Sequence, residues 1–158
     1  MERLKQEYML LAIAKARKNF KSLAGGPFGA CIVKDGKVLS VAGNTVLKED
    51  ATCHAEINAI RQASRRLKSF DLSGCVVYST TEPCPMCFSA IHWARIDTIV
   101  YGTSILDAKK IGFFELSISC EKLNRLGSAK IKIIPGFLYE ECLRLFQEWN
   151  KLENKQVY

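Results

Sequence analysis

The sequence lacks any apolar run approaching the roughly 20 residues that a membrane-spanning helix needs. A helical integral membrane protein is therefore excluded. The opening stretch, MERLKQEYMLLAIAKARKNF, has an apolar patch at Tyr8–Ala14. It nevertheless sets acids beside bases and offers no small-residue cleavage site, so it reads as an amphipathic helix and not as a signal peptide. The expected compartment is the cytoplasm. Internal repeats, low-complexity segments and linkers are also absent, and one domain spanning 1–158 is expected. No dense basic run accompanies the net charge of +7. Lys and Arg are scattered over helix faces, as at Arg61, Arg65, Arg66 and Lys68, a pattern of solvated surface more than of a nucleic-acid footprint. A hydrophobic fraction of 48% with 25% charged residues is a globular balance and excludes a disordered chain.

Cysteine is not scarce: there are seven. An odd number in a chain of this size without an export signal points to reduced thiols, some of them holding a metal. Cys31, Cys53, Cys75, Cys120 and Cys142 stand alone in apolar or mixed settings and read as packed thiols.

Hydrophobic spacing predicts a helix over about 2–21, with Leu4, Tyr8, Leu11 and Ala12 recurring at helical intervals. Gly25-Gly26-Pro27 then breaks the chain. The runs 28–34 and 37–42 flank Asp35-Gly36, a strong two-residue hairpin signal. A loop leads to a predicted helix over 54–67 with Ile57, Ile60 and Ala63 or Ser64 inside. A continuously apolar strand follows over 74–79, of the kind buried on both faces. Next comes a helix over 85–94 opening on Pro85, where the missing N–H costs nothing. Strands at 98–101 and 130–134, a helical turn at 106–110 and a closing helix over 138–151 complete the pattern. This order implies an α/β fold, a three-layer α/β/α sandwich around a mixed five-stranded sheet.

Two segments carry chemistry: Cys53-His54-Ala55-Glu56 and Glu82-Pro83-Cys84-Pro85-Met86-Cys87. A Cys-x-x-Cys where a strand passes into a helix places two sulfurs at a helix N-terminus, whose dipole and free N–H groups favour the thiolate that zinc requires. His54 supplies a neutral third ligand. Three protein ligands, His54, Cys84 and Cys87, leave the fourth tetrahedral position to water, the arrangement of a catalytic Zn2+ and not of a closed structural one. Glu56, in the first turn of its helix, reaches the space beside the metal and is the candidate for moving protons. A redox reading of Cys-x-x-Cys leaves His54 and Glu56 without a role. A structural site would want a fourth ligand, and His92, inside the following helix among apolar neighbours, reads as a packed residue.

His-x-Glu followed by Pro-Cys-x-x-Cys is the signature of the zinc nucleobase deaminases. At these residues the chain resembles the cytidine-deaminase-like superfamily over essentially its whole length. Gly25 to Ala30, the hairpin, Glu82 to Cys87, Trp93-Ala94-Arg95 and the stretch from Phe146 to Tyr158 resemble bacterial guanine deaminases in particular. The resemblance implies substrate contacts from Phe28, Asn44, Ala55, Trp93 and Tyr158, with Asn44 hydrogen-bonding a purine and Phe28 and Trp93 walling its pocket. It implies that Glu115 assists Glu56 in catalysis. It also implies a homodimer whose C-terminal segments are exchanged, Tyr158 closing the partner's site. Five of these residues have a plainer alternative: a loop cap for Asn44, core packing for Phe28 and Trp93, an exposed acid for Glu115, a frayed end for Tyr158. Thr80-Thr81 and Phe114 depart from the family pattern.

The expected activity is hydrolytic deamination of a free purine base, guanine first, with no membrane partner. The main alternative is a transfer-RNA adenosine deaminase, the one reading that would bring nucleic acid as a partner; residues 102–112 and 135–142 also resemble that branch. Other bases, nucleosides or aminotriazines fit the same zinc chemistry, and a zinc module without catalysis leaves Glu56 unexplained.

Overall fold

A computed structural model describes residues 4–158; the start of the predicted first helix, at residues 2 and 3, lies outside them. Helix α1 (Gln6–Arg17) is followed by the short α2 (Asn19–Ser22) and the strands β1 (Gly29–Lys34) and β2 (Lys37–Gly43). Then come α3 (Ala55–Leu67), β3 (Cys75–Thr81), α4 (Pro85–Trp93), β4 (Thr98–Thr103), α5 (Ile105–Lys110), α6 (Cys120–Leu126), β5 (Lys132–Ile134) and α7 (Tyr139–Asn150). The five strands form one sheet in the order β2-β1-β3-β4-β5. β1 is antiparallel to both β2 and β3, whereas β3, β4 and β5 run parallel. The mixed five-stranded sheet of the sequence reading is therefore the observed one.

The hairpin follows from its turn. Asp35 (φ 48°) and Gly36 (φ 72°) both adopt the left-handed conformation, as a two-residue type I′ turn requires. Alternation along the strands then fills two cores. Ala30, Ile32, Cys75 and Val77 face α3 and α4, while Cys31, Val33, Tyr78 and Val100 face α1 and α7. All seven cysteines are free, and the five outside the Cys-x-x-Cys pair are buried. Among the described residues no helix is long and apolar enough to cross a membrane.

Three details differ from the sequence reading. The single helix expected over about 2–21 is broken at Lys18 into α1 and the short α2. The inner face of α3 is Ala55, Ala59 and Ala63, all fully buried, while Ile57 and Ile60 are half-buried at its flanks. Small residues at i, i+4 and i+8 let the helix approach the sheet closely, and this turns Glu56 inward as well. Helix α6 was not anticipated, because seven residues give too little periodicity; its start is marked only by Ser119, whose side chain accepts from the Lys122 N–H.

Glycine is required where α1 crosses β1. A Cβ on Gly29 would collide with the main-chain carbonyl oxygen of Ala12, and backbone cannot yield as a side-chain tip can. Gly29→Ala is expected to lower stability by about 1–3 kcal/mol, the usual cost of overpacking a filled core. Urea denaturation checks this; an unchanged midpoint would mean that α1 is free to shift outward.

Candidate active site

The site lies beyond the carboxyl end of β3, where the sheet changes from antiparallel to parallel pairing. Open α/β sheets form their ligand crevices at such a switch point. Helices α3 and α4 both begin there. His54 caps α3 and Cys84 caps α4, each with extended backbone (ψ 158° and 169°). These residues turn their side chains off the helix ends instead of burying them along a helix face.

One ligand atom from each of His54, Cys84 and Cys87 falls within 4.8 Å of the others, and this is the metal-capable group found among the described residues. His54 Nδ1 stands 3.6 Å from Cys84 Sγ. Zinc bonds of about 2.0–2.1 Å to nitrogen and 2.3 Å to sulfur at a tetrahedral angle would separate these two atoms by about 3.5 Å. The donor set fits zinc in spacing and chemistry. Cys84 is drawn down to about 4, first by its hydrogen bond with Cys87 and, against burial, by that with His54. Cys87 goes the other way: burial pushes its thiol up. Cys84 is thus favoured as the thiolate chiefly by its side-chain partners, and a coordinated metal would take the proton from Cys87.

Glu56 lies immediately beside this group. Its carboxylate is buried, and burial raises its pKa. Ser79 Oγ donates to Oε1 at 2.9 Å, and the Cys87 thiol lies 3.5 Å from Oε2. Ser79 escaped the sequence reading, although strand parity carries the signal: residues 75, 77 and 79 share the face toward α3.

The cavity in front of the ligands measures about 240 Å³ and has Glu56, His54 and Cys84 at its base. Phe28 forms one wall, packed edge-on against Phe113 at 4.8 Å, and Phe113 meets Tyr158 at 5.4 Å. Asn44 is buried at the rim. Its Oδ1 accepts from the Val46 N–H at 3.1 Å and from the Tyr158 hydroxyl at 2.6 Å, while the Tyr158 oxygen accepts from the Gly26 N–H. The carbonyl half of the amide is thereby committed, leaving its N–H donors for the cavity. Gly25 is confined below it, since a Cβ there would meet Asn44 Oδ1. Asn19 ties the two loops together, donating to the carbonyls of Gly26 and Asn44 at 2.8 Å each.

Glu115 also lines the cavity, half-buried, and is raised to about 7, chiefly by burial and then by the charge of Cys84. Ala55 is fully buried as the first residue of α3 and does not line the cavity. Trp93 is not brought to it either. It stands 76% exposed at the far end of α4, beside a separate groove with His92 and Leu126. Nine helical residues carry the chain about 13 Å from the Cys84 end, too far for this wall. Phe113, Thr81 and Glu82 line the cavity without having been singled out as site residues.

Comparison with known proteins places this geometry. Residues 2–103 match the family model described as the cytidine and deoxycytidylate deaminase zinc-binding region. The chain is 36% identical to the guanine deaminase of Bacillus subtilis (strain 168), over 97% of this chain and 98% of that protein. It is 35% identical to a tRNA-specific adenosine deaminase of Buchnera aphidicola, over 79% of this chain and 80% of that one. Among solved structures it resembles a guanine deaminase from Nitrosomonas europaea with a TM-score of 0.84 at 26% identity, covering 95% of this chain and 86% of the other.

Glu115 generates a pH-dependent prediction. A carboxyl whose pKa rises from 4.5 to about 7 on folding holds its proton more tightly in the native state. Its stabilising contribution is complete below the unfolded value and is lost as pH rises through the folded one. Glu115→Gln, which cannot ionise, should match the parent in denaturation midpoint near pH 4 and exceed it near pH 8. Equal midpoints near pH 8 would show a well-solvated carboxylate instead.

Proposed function

This chain belongs to the cytidine and deoxycytidylate deaminase zinc-binding family, and from that premise we propose that it hydrolyses the exocyclic amine of a free purine base, converting guanine and water to xanthine and ammonia. The observation that carries the choice of a free base is the seat of Tyr158. Its hydroxyl bridges Asn44 and Gly26, its ring meets Phe113 edge-on, and its carbonyl accepts from the Phe114 N–H at 3.0 Å. The cavity volume of about 240 Å³ falls below the roughly 300–1,000 Å³ of pockets for drug-sized ligands. It suits a single base better than a nucleotide within a polymer. Similarity to the Bacillus subtilis guanine deaminase over nearly the whole chain supports the same choice.

His54, Cys84 and Cys87 would hold zinc, which when bound supplies a Lewis acid that brings loss of a water proton near neutral pH. The remaining work belongs to this chain's side chains. Glu56 Oε1 is held by Ser79, so Oε2 is the oxygen that takes the proton of the attacking water and delivers it to the departing amine. Phe28 and Phe113 flank the ring plane. Asn44 offers N–H donors to ring or carbonyl acceptors, because its own carbonyl is occupied. Glu115, titrating at about 7, is matched to holding a ring N–H as the carboxylate or returning a proton as the acid. Tyr158 keeps water out and fixes the Asn44 amide.

Ammonia release by zinc-loaded protein should be measured with guanine, guanosine, adenine, cytosine and a transfer-RNA anticodon stem-loop in parallel. Guanine should be the productive substrate. Glu56→Ala should retain zinc and lose on the order of 10²–10⁴ in turnover, the usual worth of a general acid–base. Release from the RNA alone would replace the free-base reading by the transfer-RNA one.

A cytoplasmic homodimer belongs to the same proposal. Within the single chain Tyr158 seals its own cavity, whereas the family resemblance implies exchange between subunits. Mixing Glu56→Ala chains with Tyr158→Ala chains separates the two arrangements. Exchange would restore activity, by seating an intact Tyr158 over an intact Glu56; closure within each chain would leave the mixture as inactive as its parts.

A further inference from the structure

Glu82 precedes the Pro83-Cys84 turn, and its carboxylate is buried without an ion-pair partner among the described residues. Its hydrogen bonds go instead to two main-chain donors far apart in sequence. Oε2 accepts from the Ile105 N–H at 3.1 Å and Oε1 from the Cys120 N–H at 2.8 Å. These amides are the first of α5 and of α6, groups that have no partner inside their own helices. A carboxylate facing two helix starts is compensated by N–H groups and helix dipoles in place of a cation. Beside it, the Cys120 thiol donates to the Pro83 carbonyl at 3.2 Å, and the Glu82 N–H donates to the Thr103 carbonyl at 2.7 Å.

What lies between the two helix starts gives the arrangement its meaning. Residues 105–120 leave the sheet after β4, run through α5 and return through irregular backbone to α6. Phe113 and Glu115 are carried on that return and form one side of the cavity. Both roots of this wall are therefore pinned to a single side chain, two residues from the metal ligand Cys84.

We propose that Glu82 is a positioning residue: by fixing both roots of the 105–120 wall to the metal-binding turn, it sets where Glu115 and Phe113 stand relative to His54, Cys84 and Cys87. The proposal rests on the deaminase reading for its kinetic consequences but not for its structural ones. Glutamine at this position keeps one acceptor and turns an NH2 group against the second amide; alanine leaves both amides without a partner.

The test uses Glu82→Gln and Glu82→Ala, each alone and combined with Glu115→Gln, in the full metal-loaded protein. Hydrogen exchange in residues 111–119 should accelerate roughly tenfold or more in Glu82→Gln, about the worth of one charge-assisted hydrogen bond. Zinc content and the visible spectrum of the cobalt-substituted protein should stay unchanged. With guanine, kcat/KM should fall about tenfold in the Glu115 background and far less in the Glu115→Gln background, because residues acting through one another are not additive. Glu82→Ala should exceed Glu82→Gln in each effect; should it fail to fold, the glutamine variant carries the test alone. Unaltered exchange in 111–119, a changed cobalt spectrum with the wall still protected, or additive losses in the double variant would each overturn the proposal. If the parent releases no ammonia from guanine, the deaminase reading fails, while exchange and the cobalt spectrum still decide the positioning role.

Discussion

Two helix N-termini meet at one end of one strand, and the rest of the site is arranged around that meeting. His54 before α3 and Cys84 before α4 hold extended backbone at the last residue outside a helix. Side chains there project beyond the helix ends instead of packing beneath them. Their convergence requires α3 to lie close on the sheet, which the fully buried Ala55, Ala59 and Ala63 allow. The same closeness brings Glu56 over Ser79. Packing, metal-ligand placement and the orientation of the proton-moving carboxylate thus share one physical cause.

Around this fixed floor the cavity walls are attached by directed hydrogen bonds as well as by apolar contact. The Asn44 side-chain oxygen is held by Val46 and Tyr158, and its main-chain carbonyl accepts from Asn19. Each attachment consumes the polar atom that would otherwise compete with a ligand, and leaves a known set of donors facing inward. The aromatic members Phe28, Phe113 and Tyr158 supply the flat surfaces between them.

How much of this could be read from the residues depended on the range of the interaction. The hairpin was legible because Asp35-Gly36 dictates its own turn, and the mixed sheet followed from alternation of strand and helix patterns. The donor group was legible because zinc imposes residue types and local spacing. The inner face of α3 was misjudged, since isoleucine outranks alanine on any hydrophobic scale but the close approach to the sheet selects the smaller residue. Helix α6 is too short to show a period. Ser79, Phe113 and the double attachment at Glu82 depend on contacts spanning 23 to 85 residues of chain, and nothing local distinguishes them. Trp93 was associated with the site through resemblance, yet lies at the opposite end of the helix that Cys84 begins.

Between α5 and α6 the cavity is bounded by the irregular stretch that carries Phe113, Phe114 and Glu115. Phe113 is buried and Glu115 half-buried against the cavity, whereas Phe114 at its mouth is 95% exposed and Leu116 is exposed. Burial alternates along residues 113–116, so the register of this stretch decides which side chain meets a ligand. Insertion of one residue ahead of Phe114 would present a phenyl ring where a carboxylate stood, and deletion of one would present Leu116 there, without any substitution. Related chains of slightly different length in this stretch could therefore acquire a different substrate by slippage, an evolutionary route that residue-by-residue comparison would record only as a gap.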